Sequence, residues 1–288
     1  MNYKAILFYL GLFIFPLTGL SFLNILYSTY FDYFLSIDSY TATFFLTLVT
    51  GSFFCYYGKN SNKKINFYEQ LLLIILVYLI SSIFIALPYY LSNYQITFFD
   101  SVFESFSGLT STGFSIFENI KYLDPTLILW RSSSQWIGGL YFLIFLIIVF
   151  SNNQYNFRLN QLVFTGNMGP FSKSNTKNIL LQIFLVYSLL TLIIFIILNL
   201  GNVRLFNSLN LSMTIISNGG FLPTNSLDQI FLKDNYYILA ITLLIPTINI
   251  FFLFNLFNRR RIVSDHQEDL FLIAFILALI MDLNVLPP

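Results

Sequence analysis

Two short stretches of small, hydroxylated residues and glycine interrupt the apolar part of this chain, and each is followed by a phenylalanine, Phe114 or Phe221. A cation that leaves water needs oxygen atoms in place of its hydration shell, and backbone carbonyls supply them in ion-selective loops. Glycine permits the backbone angles that turn such carbonyls inward. The pattern predicts a cation-coordinating loop at each place. The predicted ion-facing residues are Thr110, Ser111, Thr112, Gly113, Ser217, Asn218, Gly219 and Gly220.

A short apolar stretch precedes each loop, at 96–109 and 204–216. A helix of about thirteen residues is roughly 20 Å long, which is too short for a hydrocarbon core of about 30 Å. Irregular backbone at that depth is tolerated only where protein buries it or where it lines a water-filled path. We therefore expect two re-entrant half-helices whose partially negative C-terminal ends point toward the membrane centre and favour a cation there. Ordinary kinked or membrane-surface loops are the alternative.

Two acids lie one turn apart on the first half-helix, Asp100 and Glu104. They could concentrate cations at the outer mouth of a pathway. Acids early in a helix are also ordinary partners of the helix dipole. The sequence leaves both interpretations open.

The composition is that of a polytopic membrane protein, with 57% hydrophobic residues and only 9% charged ones. The net charge of +1 gives no reason to expect a nucleic-acid partner. A single cysteine, Cys55, excludes an internal disulfide, and a single histidine, His266, excludes a histidine-rich metal cluster. Because no arrangement of a nucleophile with an acid or base is visible, we expect neither enzymatic activity nor a cofactor.

Six apolar segments are long enough to cross a bilayer, and a seventh begins near residue 269. The six are 5–26, 40–57, 69–91, 126–150, 178–200 and 236–257. If the helices alternate in direction, ten of the fourteen lysines and arginines fall on one side of the membrane. By the positive-inside rule that side is cytoplasmic, and it includes the N-terminus. The sequence predicts a multi-pass protein of the cell membrane.

Arg131 lies inside one of these segments. A charge is expensive in lipid, so we expect Arg131 to face protein and to pair with a carboxylate of the first loop. Trp130 and Tyr122 fit an aromatic belt at the outer membrane interface.

The two loop regions are copies of each other at an offset of 107 residues. The matching pairs are Phe99 and Phe206, Ser101 and Ser208, Ser105 and Ser212, Gly113 and Gly220, and Phe114 and Phe221. A span, a half-helix, a small-residue turn and another span therefore occur twice. Repeats of this kind in membrane proteins usually place a transported substrate at their interface.

Three segments of the chain resemble a known family. ESFSGLTSTGF (104–114) and LWRSSSQWIGGL (129–140) resemble the first pore loop and the following helix of the Trk/Ktr/HKT superfamily of potassium transporters, closest to the TrkH type. SMTIISNGGF (212–221) resembles the second pore loop. The string Gln-Trp-Ile-Gly-Gly at 135–139 is the most specific part.

The resemblance implies a fold class: an all-α polytopic membrane protein with helix–pore loop–helix repeats, two of the usual four, after an N-terminal two-helix unit. It divides the chain into units at 1–60, 61–152, 153–258 and 259–288, the last being the start of a truncated third repeat. It implies passive movement of potassium, or of potassium and sodium, past filter carbonyls in a bacterial inner membrane. Gly113 and Gly220 match the filter glycines.

The partners implied by the resemblance are the potassium ion, membrane lipid and a cytoplasmic nucleotide-binding regulatory subunit. A homodimer or a second chain would supply the missing repeats, since half a filter cannot encircle an ion. The alternative is a non-conducting protein, either a truncated relic or an assembly subunit of a split transporter.

Overall fold

The computed structural model describes residues 1–61, 65–150, 176–231 and 236–247. That part of the chain consists of helices and connecting loops without a strand, which confirms the all-α fold class. Its α-helices are α1 (Tyr3–Tyr30), α2 (Ile37–Gly58), α3 (Phe67–Tyr90), α4 (Phe98–Leu109), α5 (Pro125–Phe150), α6 (Thr176–Leu200), α7 (Leu205–Ile216) and α8 (Tyr236–Leu244). Single 3-10 turns lie at Ile120–Tyr122, Leu227–Gln229 and Ile245–Thr247.

Four helices in the described part are long and apolar enough to cross a membrane, within α1, α3, α5 and α6. The predicted span 40–57 coincides with α2, which is long enough but carries several threonines and serines. The predicted span 236–257 begins with α8, and its second half lies outside the described residues. The predicted seventh span and the unit 259–288 also lie outside them.

Both predicted half-helices are present as short helices. α4 and α7 each contain 12 residues and are therefore about 18 Å long. Thr97 begins α4, and its hydroxyl accepts a hydrogen bond from the backbone N–H of Asp100, as an N-cap residue does. Neither helix can cross a hydrocarbon core of about 30 Å.

The repeat extends to the backbone angles. Three pairs of residues with positive φ are separated by 107 positions: Gln95 and Asn202 before the half-helices, Ser111 and Asn218 just after them, and Gly113 and Gly220 in the loops. The φ values of the two glycines are both 84°. Because such angles are uncommon outside glycine, their recurrence shows that the two loops have the same fold.

The core has two parts that share α5. One is formed mainly by α1, α3 and α5 around residues such as Leu10, Val77 and Trp130. The other is formed by α5, α6, α7 and α8 around residues such as Leu190 and Leu211. α5 therefore lies between the first half-helix and the second.

One aromatic prediction is wrong. Trp130 is fully buried, and its indole N–H donates to the carbonyl of Ile85 at 3.0 Å, so it does not belong to an interfacial belt. The indole packs beside the ring of Tyr40. Tyr122 is 75% exposed, as a belt residue would be.

Candidate functional site

The two predicted loops begin where α4 and α7 end, and both ends have the same hydrogen bonds. The N–H of Thr112 donates to the carbonyl of Ser107, and the N–H of Gly219 donates to that of Thr214. A second bond, from Ser111 to Gly108, has its copy between Asn218 and Ile215. This pattern is the Schellman motif, which ends a helix by turning the chain sharply.

The motif requires a left-handed residue, and here it falls on Ser111 and Asn218, whose φ values are 55° and 53°. Asparagine adopts this conformation more readily than serine. The turn directs residues 112–114 and 219–221 away from the helix axis at the level where each helix ends. The last turn of either half-helix carries no basic side chain, so the partially negative C-terminal ends are not neutralised there.

The two loops touch each other at the glycines. A methyl group on Gly113 would lie 2.3 Å from the carbonyl oxygen of Gly219 and 3.5 Å from the Cα atom of Gly220. Residue 113 must therefore be glycine both for its positive φ and for this close approach. A methyl group on Gly220 would have no atom nearer than the Cα of Gly113 at 3.9 Å.

The loop residues differ in exposure. Thr110, Thr112, Asn218 and Gly220 are exposed, Ser111 and Gly113 are half-buried, and Ser217 and Gly219 are buried. The hydroxyls of Thr110 and Thr112 lie 2.7 Å apart and bond to each other. Small polar residues and solvent-accessible backbone therefore lie together beside the partially negative C-terminal ends of α4 and α7. Such an arrangement suits a dehydrated cation.

Helix α5 holds the second loop through Gln135. Its side-chain Nε2 donates to the carbonyl of Gly219 at 2.8 Å, and its Oε1 accepts from the N–H of Phe221 at 3.2 Å. Gln135 is fully buried, so both bonds form away from water. The string Gln-Trp-Ile-Gly-Gly stands out in the sequence, but the partner of Gln135 does not.

One turn earlier on α5, Arg131 joins both loops. Its Nε donates to Oε1 of Glu104 at 2.8 Å, and both side chains are buried. Its Nη2 donates to the hydroxyl of Ser115 at 2.8 Å, and its guanidinium carbon lies 4.3 Å from the centre of the Phe221 ring. The expectation that Arg131 pairs with a carboxylate of the first loop is confirmed.

The two acids of α4 have different surroundings. Glu104 is fully buried and also accepts a hydrogen bond from the backbone N–H of Ile116 at 2.8 Å. Asp100 is exposed in the first turn of α4, where its carboxylate accepts from the Thr97 hydroxyl at 2.6 Å. Attraction of cations from solution therefore fits Asp100 better, whereas Glu104 is engaged in holding the loop.

The two glycines after Gln135 let α5 approach the ends of both half-helices. A methyl group on Gly138 would lie 2.0 Å from the carbonyl oxygen of Leu109, the last residue of α4. A methyl group on Gly139 would lie 2.9 Å from Cβ of Ser217, the residue after α7. Trp136 faces α6 and donates to the hydroxyl of Thr191 at 3.0 Å.

Asn225 also connects the two loop regions, and nothing in the sequence predicts it. Its side-chain oxygen accepts a hydrogen bond from the backbone N–H of Ile120 at 2.7 Å. This bond connects the segment that follows the second loop to the segment that follows the first. A single asparagine in a polar loop carries no sequence signal for such a contact. Gln135 does carry a sequence signal, because it lies four residues after Arg131 and therefore on the same face of the helix.

Comparison with known proteins agrees with this architecture. The family model of TrkH, described as cation transport protein, matches residues 36–279. An uncharacterized cation transporter of Methanocaldococcus jannaschii is 30% identical over 193 residues, which cover 64% of this chain and 39% of that protein. The Trk system potassium uptake protein TrkH of Salmonella typhimurium is 25% identical over 190 residues, which cover 64% of this chain and 38% of that protein.

A solved structure has the same fold. The crystal structure of the potassium transporter TrkH from Vibrio parahaemolyticus matches with a TM-score of 0.71 at 20% identity, over 90% of this chain and 53% of that one. The chain spans about two fifths of the length of the curated relatives named above.

The matched relatives are transporters and not enzymes, in agreement with the expectation from the sequence. The family model covers most of the chain, and the described helices have the fold of a solved TrkH. The chain belongs to the TrkH family of cation transport proteins, which are membrane proteins built from apolar helices.

Proposed function

We propose that this chain contributes two filter loops to a potassium-conducting pathway, and that backbone carbonyls of residues 110–113 and of Ser217, Asn218 and Gly220 face the ion. The carbonyl of Gly219, which the sequence also predicted to face it, is turned to Gln135 instead. The observation that carries the proposal is the pair of loops with equal backbone angles, which meet at Gly113 and Gly220. Potassium is proposed because several relatives are named potassium uptake proteins. The other walls of the pathway come from further segments, which a second copy of this chain can supply.

The proposed setting is a bacterial inner membrane, with the N-terminus on the cytoplasmic side and permeation down the electrochemical gradient. A cytoplasmic nucleotide-binding regulatory subunit stays a prediction from the family resemblance. Movement through such a site involves no covalent chemistry. The loops replace part of the hydration shell of the ion, and the helix C-termini stabilise its charge.

The test is rubidium uptake into proteoliposomes that contain the purified chain. Gly220→Ala adds a methyl group whose nearest protein atom is the Cα of Gly113 at 3.9 Å, so strain in the backbone angle, and not a clash with the protein, disturbs the loop. Because a left-handed alanine is strained by about 1–2 kcal/mol, we expect the loop to rearrange and uptake to fall by about tenfold. Gly19→Ala, in open space on α1, is the matched control and should leave uptake unchanged.

Uptake that is inhibited more strongly by potassium than by sodium supports the proposed ion. Uptake that is equal in the wild-type chain and in Gly220→Ala would contradict a filter at residue 220. Absence of uptake from correctly folded wild-type protein would contradict conduction by this chain alone.

A further inference from the structure

Gln135 contacts the backbone on both sides of Gly220. The carbonyl of Gly219 belongs to the peptide unit that precedes the Cα of Gly220, and the N–H of Phe221 belongs to the unit that follows it. The side-chain amide of Gln135 bonds to both, at 2.8 Å and 3.2 Å. We call these two bonds the Gln135 bridge. Since φ and ψ of Gly220 describe the rotation of these two units, the bridge restrains both angles.

Glutamine is well suited to this task, because its side chain offers donors on nitrogen and an acceptor on oxygen at one end. The neighbouring residue leaves room for it. A methyl group on Gly219 would lie 2.3 Å from Cδ of Gln135, so residue 219 must be glycine while the bridge is present. Gln135 is fully buried, and loss of the bridge would leave buried backbone groups unpaired.

Arg131 extends the same support along the second loop. It stacks on the ring of Phe221, and its Nη1 donates to the carbonyl of Leu222 at 3.5 Å. Residues 219–222 are therefore held by one face of α5, which belongs to the first repeat. The second repeat has no equivalent, because the positions 107 residues further on are Ile238 and Thr242.

The first loop is held differently in the described part of the chain. The carbonyl of Phe114 accepts from the hydroxyl of Ser107 at 2.6 Å, a bond within the loop's own repeat. Among the described residues, no side chain bonds to the carbonyl of Thr112 and the N–H of Phe114, which flank Gly113. The restraint on Gly220 is thus particular to the second loop.

We propose that Gln135 is a positioning residue that sets the ion preference of the second loop by restraining the two peptide units around Gly220. Potassium and sodium differ in size, so carbonyls that are held in place fit one ion better than the other. Peptide units freed from the bridge rotate and accommodate sodium more easily. This inference rests on the proposed function, since it assumes that the second loop binds the ion.

The first measurement is amide hydrogen exchange of the purified chain in detergent, followed on peptides that contain residues 219–222. Gln135→Met has similar length and cannot form the bridge. Because the Phe221 amide loses its acceptor, we expect its exchange to become about tenfold faster. Thr191→Val removes the hydrogen bond to Trp136 on the face of α5 that packs against α6, and it is the matched control, with no change expected at 219–222.

The second measurement is the rise of the melting temperature with added potassium or sodium at constant ionic strength. From it we obtain the ratio of the half-saturating concentrations of the two ions. A residue with only a structural role would lower the melting temperature in both ions equally and leave the ratio unchanged. We expect Gln135→Met to reduce the preference for potassium by about threefold or more.

Gln135→Glu supplies the rescue. The protonated carboxyl that this variant carries at low pH has one donor and one acceptor, so it can rebuild the bridge. We expect its ion ratio at that pH to equal that of the wild type. If the glutamate variant loses the preference as the methionine variant does, hydrogen bonding by residue 135 is not the cause and the proposal is overturned.

The outcomes separate the bridge from the proposed function. Unchanged exchange at 219–222 in Gln135→Met would overturn the bridge whatever the ions do. Faster exchange with an unchanged ion ratio would overturn the role in selectivity. A wild-type chain that responds to neither ion would contradict the proposed function and the role in selectivity together, while the exchange result still decides the bridge.

Discussion

At the scale of single residues, the buried ion pair of Glu104 and Arg131 holds the first loop against α5. A pair removed from water gives little net stability compared with apolar residues of the same size. Here every polar contact of the pair is to a loop residue: Ser115, Ile116 and Leu222. We infer that the pair fixes the positions of the loops. Removal of one partner destabilises the fold mainly because the other charge stays buried and unpaired.

Substitution of Glu104 by glutamine tests this view. Arg131 would keep its charge at a buried position without a carboxylate, so we expect the free energy of unfolding to fall by about 3–5 kcal/mol. Thermal melting in detergent measures the effect. Asp100→Asn, one turn away on α4 but exposed, is the matched control and should cost less than about 1 kcal/mol. Equal losses from both substitutions would contradict a special role for the buried pair.

The residues of the loops could be found from the sequence, whereas most of their contacts could not. Strings of serine, threonine and glycine stand out in an apolar chain, so residues 110–113 and 217–220 were identified from their types. The partner of Gln135 is 84 positions away, and it depends on the rotation of α5 about its own axis. Hydropathy carries no information on that rotation. Trp130 shows the same limit, since its type suggested an interface and its position on α5 buries it.

At the scale of elements, α5 is the support that both half-helices share. Gly138 touches the end of α4, and Gly139 touches the residue that follows α7. Buried polar residues at 132–135 lie on the same helix within the two turns that precede these contacts. A helix of the first repeat therefore determines how far apart the two loops lie.

Gly138→Ala should separate the loops from this support. The added methyl group would lie 2.0 Å from a backbone oxygen, which cannot move without displacing the end of α4. We expect a loss of about 1–3 kcal/mol in stability, as for other overpacked sites. Gly19→Ala is the control: its methyl group meets nothing within 4 Å, and alanine favours a helix over glycine by up to about 1 kcal/mol. Melting curves of the two variants should shift in opposite directions.

The positions of the helices were largely predictable, because hydropathy and length define a span. The starts and ends of α3, α5 and α6 lie within two residues of those of the predicted segments. The half-helices were also predictable, because they are apolar and yet too short to span the membrane. Packing between helices was not predictable, because it depends on small residues such as Gly138 whose contacts lie on distant parts of the chain.

At the scale of the whole molecule, the internal repeat and the charge distribution describe one arrangement. The repeat places two loops side by side. If the helices alternate, both half-helices enter from the same membrane face. The positively charged connections lie at the opposite face if the helices alternate. This asymmetry predicts the orientation, because lysine and arginine near the ends of spans are retained on the cytoplasmic side.

Cysteine accessibility tests the orientation. In a Cys55→Ser background, Asn60→Cys lies after α2 at the predicted cytoplasmic face, and Glu118→Cys and Gln229→Cys lie in the returns of the two loops at the outer face. All three positions are exposed, so each cysteine can react. We expect a membrane-impermeant thiol reagent to label residues 118 and 229 in intact spheroplasts, and residue 60 only after the membrane is opened. Labelling of residues 118 and 229 on different sides would contradict the parallel arrangement of the repeats, and the reverse pattern for all three would invert the predicted topology.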